Sequence, residues 1–136
     1  MAQLDCEILT PAGPVFAGTA EMVVVPGREG TLGVLPRHAP TIARLRIGEV
    51  RVKLAGGEVR SFATGDGYFK MQRDRALVVV DAAVAAEDID TAAVQAAVEG
   101  ARARIAAADA GDESIDRFRA ERDLAAAENQ LSIAGR

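Results

Sequence analysis

Residues 23–40 read VVVPGREGTLGVLPRHAP, and this stretch decides the fold of the chain. A β-branched apolar run enters it, a Pro-Gly pair and two further glycines follow, and a second apolar run leads into Pro-x-His-Ala-Pro. β-Branched side chains suit a buried, pleated surface, and glycine allows the positive φ or close backbone approach of a tight turn. The stretch predicts two strands joined by a tight loop, with Pro26 ending the first strand because proline has no amide to donate.

Short strands separated by turn residues are predicted on both sides of this stretch. Residues 3–9 and 49–54 alternate apolar and polar side chains, which is the period of a strand with one buried face. Gly18 is predicted to separate a short strand from a longer one over 19–25, and the apolar run 77–80 is predicted to be buried on both faces. The spacing predicts an antiparallel β-sandwich of about eight to ten short strands over residues 1–86.

After residue 86 the pattern becomes typical of two helices. Residues 89–108 contain no proline and one glycine, Gly100, and a second helix-forming stretch covers about 115–133. Asp88 is predicted to cap the first helix and Asp112 or Ser114 the second, with Gly111 between them as a C-terminal stop. The fold class is therefore α+β, with an antiparallel two-helix hairpin over 87–136 as a second domain.

The predicted hairpin has a thin apolar stripe made mostly of alanine. Its members are Ile89, Ala93, Ala96, Ala97, Ala101 and Ile105. At roughly 25 cal/mol per Å² of buried apolar surface, such a seam stabilises much less than a leucine seam would. Two interpretations stay open: a permanently packed hairpin, or one that detaches from the sandwich and rearranges against a partner.

Composition excludes several functions. His38 and Cys6 are the only residues of their types, so neither has the partners that a zinc site needs. The net charge is −4, without a basic face for nucleic acid, and no run approaches the roughly 20 apolar residues of a membrane span. The GREGTLG segment lacks the Gly-Lys-Ser/Thr end of a phosphate-binding loop. The residues present supply no catalytic or metal site.

The motif G-x-E-G-x-x-G-x-x-P-x-H-A-P carries a resemblance to a known family. Its fixed positions are Gly27, Glu29, Gly30, Gly33, Pro36, His38, Ala39 and Pro40. The chain resembles, over its whole length, the epsilon subunit of bacterial F-type ATP synthases, which is called delta in mitochondria. The resemblance implies a β-sandwich followed by two helices.

The same resemblance implies a non-catalytic rotor subunit of the central stalk in a proton-translocating ATP synthase. Such a subunit contacts the gamma subunit and the membrane ring of c subunits, coupling both to ATP synthesis. It would lie peripherally on the cytoplasmic face of the bacterial inner membrane. The ring-facing loop maps to Glu29, Gly30, Thr31 and Leu32. The gamma-facing positions map to Thr10, His38 and Ala43.

In this family the C-terminal helices can extend into the alpha/beta catalytic head and block ATP hydrolysis. The resemblance makes the arginines of the helical segment candidates for contacts with acidic loops of the head: Arg102, Arg104, Arg117, Arg119 and Arg122. Because the segment is net negative, internal ion pairs are the alternative for these side chains.

Some members of the family bind ATP through an I/L-D-x-x-R-A motif in the first helix. Ile89 and Asp90 match it, but Ala93 replaces the arginine and removes a bidentate phosphate donor. A second copy of the motif begins at Ile115, although Ala126 and Gln130 stand where downstream basic residues would complete the pocket. The second copy comprises Ile115, Asp116, Arg119 and Ala120. We expect no cofactor and no ATP binding.

A free-standing small-molecule-binding β-sandwich with a helical lid is the alternative function. It requires an apolar pocket and a stable monomer. An enzyme would need a nucleophile, a base or a metal set, and the chain offers no convincing one.

Overall fold

A computed structural model describes residues 2–136 of the chain. Ten strands lie in the first part: β1 Leu4–Thr10, β2 Gly13–Ala20, β3 Met22–Gly27, β4 Gly30–Val34, β5 Thr41–Leu45, β6 Gly48–Lys53, β7 Val59–Thr64, β8 Gly67–Gln72, β9 Arg75–Val80 and β10 Ala83–Ala85. A 3-10 turn over Ala86–Asp88 leads to α1 Thr91–Asp109 and α2 Arg117–Ile133. The α+β prediction is confirmed.

The strands form two layers around one core. Strands β10, β7, β6 and β3, with β4 beside β3, make one layer, which we call the helix-side sheet. Strands β5, β8, β9, β1 and β2 make the other, the open sheet, and Gly27 opposite Leu45 joins β3 to β5. Strand β1 runs parallel to β9. The sandwich is therefore antiparallel except at this one pair among the described residues.

Alternating side chains of both sheets fill the space between the layers. Phe62 and Phe69 are the largest of the fully buried side chains, and Val50 and Val52 confirm the predicted alternation of β6. Cys6 is buried among them, and its burial raises the pKa of the thiol to about 12. The thiol therefore stays protonated and unreactive at neutral pH, as a small core residue.

Two predicted strand ends are wrong. Pro26 lies inside β3, opposite Thr31, and its carbonyl accepts a hydrogen bond from Arg46 N at 3.0 Å. The missing amide does not end the strand, because the edge strand β4 and the neighbouring loop accommodate it. Gly18 lies within the single strand β2 opposite Cys6, and the chain bends at Glu21 instead.

The apolar run 77–80 is buried on only one face. Val78 is fully buried and Val80 nearly so, whereas Val79 is 43% exposed on the outer face of the open sheet. Within the described residues no other layer covers that face, so the prediction of burial on both faces is wrong. The short strand β10 was not predicted from the sequence, because three residues give too little pattern.

The helix caps differ from those predicted. Asp90 caps α1 by accepting from Ala93 N, and Asp116 caps α2 by accepting from Arg119 N, both at 3.1 Å. Asp88 lies in the 3-10 turn, and Asp112 accepts from Ser114 N at 3.0 Å within the connection. Where several aspartates occur close together, composition alone does not choose the cap.

Gly111 ends α1 as predicted, with a φ of 104°. The amide of Asp112 donates to the carbonyl of Ala107 at 3.0 Å, and that of Gly111 to Ala108 at 3.1 Å. This pair of bonds satisfies carbonyls of the last turn.

The two helices pack through a stripe that matches the predicted one only in part. Val98, Ala101, Ala120 and Ala127 are the buried residues of the seam. Ala101 was predicted to be there and Ile105 is half-buried, but Ala93, Ala96 and Ala97 are exposed. Helix α2 contacts β6 and β7, so it lies between α1 and the helix-side sheet. Neither helix has a stretch long and apolar enough to cross a membrane.

Candidate functional site

The tip of the β3–β4 hairpin is an exposed two-residue turn. Arg28 and Glu29 form it, and Gly27 pairs with Gly30 at its base. A Cβ on Gly27 would lie 2.6 Å from the carbonyl oxygen of Gly30, and Gly30 has a φ of 140°. Both glycines are therefore required by the turn itself.

The rest of the predicted ring-facing loop follows the turn. Thr31 is exposed with Glu29 and Gly30, whereas Leu32 is half-buried and packs against the core. The amide of Arg28 donates to the carbonyl of Arg44 at 2.9 Å, which fixes the turn to strand β5. The structure thus presents a small, mostly polar projection that is hydrogen-bonded to β5.

The three predicted gamma-facing residues have local structural contacts. Thr10 closes the β1–β2 turn, where its hydroxyl donates to Gly13 O at 3.0 Å and accepts from Ala12 N at 3.2 Å. His38 lies in the loop before β5, with Nδ1 2.8 Å from the carbonyl oxygen of Ala39. Ala43 is half-buried on β5, opposite Phe69.

These three residues are spread along the open sheet and do not form one cluster. Leu9, next to Thr10, pairs with Val79, and Val79 pairs with Tyr68 on the next strand. Tyr68 in turn pairs with Arg44, near the end of β5, so these residues form one row across the sheet. His38 precedes Thr41, the first residue of β5. Thr10 and His38 consequently lie at opposite ends of the open sheet, and any one partner that contacts both has to cover the sheet between them.

An exposed surface that sequence reasoning missed lies between them. On the outer face of the open sheet Ile42 is 75% exposed, Tyr68 55% and Val79 43%. Ile42 pairs with Lys70, and the Arg44 guanidinium lies 6.0 Å from the centre of the Tyr68 ring. We call this surface the open face; it comprises Ile42, Arg44, Tyr68, Lys70, Leu77 and Val79. Alternation along β5 could have indicated it, because Ile42 is out of phase with buried Leu45.

A shallow groove of about 530 Å³ continues the open face towards β2. Lys70 and Leu77 line it together with charged side chains of both signs, namely Asp5, Glu7 and Arg75. Mixed charges in an open groove differ from the enclosed apolar lining of a typical small-molecule site. The groove suits a polar and apolar protein surface better than a small ligand.

Four of the five candidate inhibitory arginines form ion pairs in this folded arrangement. The pairs are Arg102 with Glu128 at 3.6 Å, Arg104 with Asp123 at 3.0 Å, Arg117 with Asp109 at 2.8 Å and with Glu121, and Arg122 with Asp66 at 2.7 Å and with Asp81 at 3.7 Å. The hydrogen bond from Arg117 lowers the pKa of Asp109. Arg119 is in no ion pair within residues 2–136. Three of these arginines link the two helices, and Arg122 links α2 to the sandwich.

The residues that match the nucleotide motif have structural roles. Ile89 packs against Ala63, Ala86 and Ile133, and Asp90 caps α1. In the second copy, Asp116 caps α2, Ala120 is fully buried in the seam and Ile115 is half-buried.

A cleft of about 390 Å³ lies between the two helices. Small side chains such as Ala97 and Ala126 line it, and its one cation, Arg104, is paired with Asp123, which also lines it. A triphosphate would meet that carboxylate and find no free cation there. Within the described part of the chain, no group of three or more His, Cys, Asp or Glu side chains could hold a metal ion.

Known sequences resemble the chain over its full length. The family model for the β-sandwich domain of the ATP synthase delta/epsilon chain matches residues 3–86. The ATP synthase epsilon chain of Xanthomonas campestris pv. campestris is 40% identical over 136 residues, covering 100% of this chain and 95% of that protein. The ATP synthase epsilon chain of Halalkalibacterium halodurans is 39% identical and covers 100% of both chains.

A solved structure has the same fold. A chain in the cryo-EM structure of the Euglena gracilis mitochondrial ATP synthase, containing OSCP, F1 and the c-ring, superposes with a TM-score of 0.81. The match covers 97% of this chain and 81% of that chain, at 23% sequence identity. The sandwich and both helices therefore share one architecture with that subunit.

Proposed function

The chain belongs to the ATP synthase delta/epsilon chain family, and from this membership we propose that it connects the gamma shaft to the membrane ring of c subunits. It is a non-catalytic subunit of the central stalk, and its contribution is shape and adhesion. The observation that carries the contact with gamma is the open face, whose apolar side chains have no covering layer among the described residues.

The open face has the composition of a protein-binding surface. Ile42, Tyr68 and Val79 can supply apolar contact, and Arg44 and Lys70 lie beside them. Aromatic and arginine side chains are frequent among the residues that dominate binding energy. Because Thr10 and His38 lie at the two ends of this sheet, gamma docked on the open face would reach both. The Ala43 side chain lies on the core side of β5, opposite Phe69, so only its backbone would face gamma.

The projecting β3–β4 turn is proposed to contact the ring. It lies at the β5 edge of the open sheet, to which the Arg28 amide fixes it. A rigid turn loses little conformational freedom on binding. Glu29, Gly30 and Thr31 would make the contact, and Leu32 would support it from the core.

This placement makes the chain a peripheral membrane component. We propose that it lies on the cytoplasmic face of a bacterial inner membrane and reaches the bilayer through the ring. We also propose that residues 1–86 form the coupling domain and residues 87–136 a separate regulatory domain. The first range differs by two residues from the segment matched by the family model.

The hairpin is proposed to inhibit ATP hydrolysis after leaving the sandwich and entering the alpha/beta head. Of the candidate arginines only Arg122 pairs with the sandwich, and an exposed ion pair contributes roughly 0–1 kcal/mol, so its pairs present a modest barrier to opening. The other three paired arginines can meet acidic loops of the head once the two helices also separate from each other. Arg119 is exposed and already available.

Nucleotide is not expected to control this movement. We predict that ATP binds the isolated chain with a Kd weaker than about 1 mM, which corresponds to less than about 4 kcal/mol of binding free energy. The reason is the absence of a free cation in the helical cleft, where Asp123 pairs with Arg104. Isothermal titration calorimetry measures this directly, and a Kd in the micromolar range would contradict it.

A control variant makes the ATP titration more informative. Ala93→Arg restores the arginine of the motif at an exposed position of α1, where a long side chain needs no internal space. If only this variant binds ATP, the departure at Ala93 accounts for the difference. If neither chain binds, the remaining cleft is also unsuited to a triphosphate.

The test of the proposed function is binding to purified gamma. We expect a stable complex, in which hydroxyl-radical footprinting protects Tyr68 while Phe118, 68% exposed on α2, stays reactive. Phe118 is the internal control because it lies away from the open sheet. Absence of a complex, or equal labelling of Tyr68 with and without gamma, would overturn the proposed docking.

A further inference from the structure

The end of α2 is held to the base of the hairpin by contacts of its last residues. Ile133 is 2% exposed and packs against Ala63, Ala86 and Ile89. The amide of Gly135 lies 3.4 Å from the carbonyl oxygen of Ala86. Residues 133–135 are thereby joined to the segment that leads into α1. The first and last segments of the hairpin therefore contact each other at its base.

Ile133 is the main apolar anchor of the hairpin on the sandwich. Among the largest fully buried side chains of the molecule, it is the one that comes from the helices. The other buried residues of α2, Ala120 and Ala127, are small. Loss of this side chain would therefore remove most of the apolar contact at this end.

Arg136, which follows α2, forms an ion pair with the carboxylate of Glu49 on β6. Its Nη1 lies 3.2 Å from Oε1 of Glu49, and Nη2 also donates to the carbonyl of Ser132 at 3.1 Å. The Glu49 side chain is only 18% exposed, and its Oε2 is buried without a hydrogen-bond partner among the described residues. A largely buried carboxylate is costly unless it is paired, so the docked hairpin needs Arg136.

The other polar contacts between α2 and the sandwich do not involve a carboxylate as buried as that of Glu49. Arg122 pairs with Asp66 and Asp81, whose side chains are 31% and 55% exposed. Asn129 donates to the carbonyl of Gly48 at 2.9 Å, which is a neutral contact. Removing either leaves no buried charge without its partner. Among these contacts, only the loss of Arg136 leaves a largely buried charge, that of Glu49, without its partner. This unpaired charge would favour opening.

We propose that residues 133–136 are a latch that keeps the hairpin on the sandwich, and that Glu49 favours release once Arg136 is withdrawn. Release restores water to Glu49 and frees Ile133 together with the helices. The regulatory meaning of the latch rests on the proposed function, because an opened hairpin is the form that would enter the head. The latch itself is a property of the isolated chain.

The experiment measures opening in the intact chain without any partner subunit. Spin labels on cysteines introduced at exposed Arg51 of β6 and exposed Glu113 of the helix connection report the distance between sandwich and hairpin by pulsed electron resonance. Cys6 is buried and stays unlabelled. Arg136→Gln is expected to raise the open fraction at least about tenfold over the parent, because Glu49 loses its partner. Ile133→Ala is expected to have a similar or larger effect.

Two further variants separate the latch from a general loss of charge. Glu49→Gln combined with Arg136→Gln is expected to return the open fraction to within about twofold of the parent, because no buried charge remains. Arg102→Gln removes the same charge from a pair internal to the hairpin and is expected to match the parent. An Arg136→Gln result equal to that of Arg102→Gln would overturn the proposal, as would a double variant as open as Arg136→Gln.

The outcome is independent of the proposed function. Labelled chains are also titrated with gamma, whose binding on the open face does not involve residues 133–136. Normal gamma binding with no increase in opening rejects the latch alone. Increased opening without gamma binding supports the latch and rejects the docking surface.

Discussion

The full chain is expected to lower ATP hydrolysis by a reconstituted catalytic head at least about fivefold, and a chain ending at Ala86 is expected to leave it uninhibited. Both chains keep the open face and the β3–β4 turn, so both should assemble with gamma. They differ only in the helical segment, which we propose to be the inhibitory element. Steady-state hydrolysis over a range of ATP concentrations measures the effect.

The energy of the docked hairpin makes this outcome physically reasonable. The seam between its two helices consists largely of alanine, and its ion pairs other than Arg136–Glu49 are exposed, so neither contributes as much as a leucine core would. The free energy of docking on the sandwich is therefore modest, and contacts with the head need only exceed it for the hairpin to move. The strength of inhibition would depend on the difference between the hairpin's contacts with the sandwich and its contacts with the head. No chemical step in the chain itself would be involved.

The truncated chain needs a control for folding. The main core cluster draws all its buried residues from 4–85, so the sandwich keeps its core without the helices. Truncation does expose Ala63, which Ile133 and Ile89 partly cover in the full chain. Binding of the truncated chain to gamma with unchanged affinity is the required control.

Dependence on ATP concentration discriminates between two kinds of inhibition. Because we expect no ATP binding by the chain, the fold-inhibition should be the same at low and high ATP. Relief by ATP with the parent chain but not with the chain ending at Ala86 would contradict that expectation. Equal rates with the full and truncated chains would reject inhibition and leave coupling as the function.

Local pattern in the sequence predicted the strands of the sandwich well, because alternation and turn chemistry depend on neighbouring residues. Residues 49–54 are an example, since Val50 and Val52 are fully buried as their alternation predicts. The parallel contact of β1 with β9 joins residues far apart in the chain. No local pattern specifies such a pairing. The predicted strand end at Pro26 was wrong for the same reason. Whether the missing amide interrupts the strand depends on the neighbouring strands β4 and β5.

The candidate surfaces were less predictable than the fold. Alternation shows that Ile42 and Leu45 lie on different faces, but only the completed sheet shows that the Ile42 face is uncovered. The partners of the arginines likewise depend on how α1, α2 and the sandwich come together. Arg122 meets Asp66 across 56 positions of sequence, a contact that no local spacing of charges could indicate.

Replacing Ile42 by Asp is expected to weaken gamma binding at least about 100-fold, as loss of a central anchor does, while leaving folding intact. Ile42 is 75% exposed, so the substitution should change the free energy of unfolding by less than about 0.5 kcal/mol. In the complex the new carboxylate would be buried against gamma without a partner, and removing it from water is costly. Titration of labelled gamma with each chain measures the affinity.

The matched control is Val59→Asp, which introduces the same charge at a 51% exposed strand position of the helix-side sheet. It should bind gamma like the parent, because β7 lies in the layer opposite the open face. Tyr68→Ala provides a second test without added charge and should weaken binding at least about tenfold. If both open-face variants bind like Val59→Asp, gamma does not dock on the open face. Contacts at Thr10 and His38 would then have to be made separately, around the two ends of the sheet.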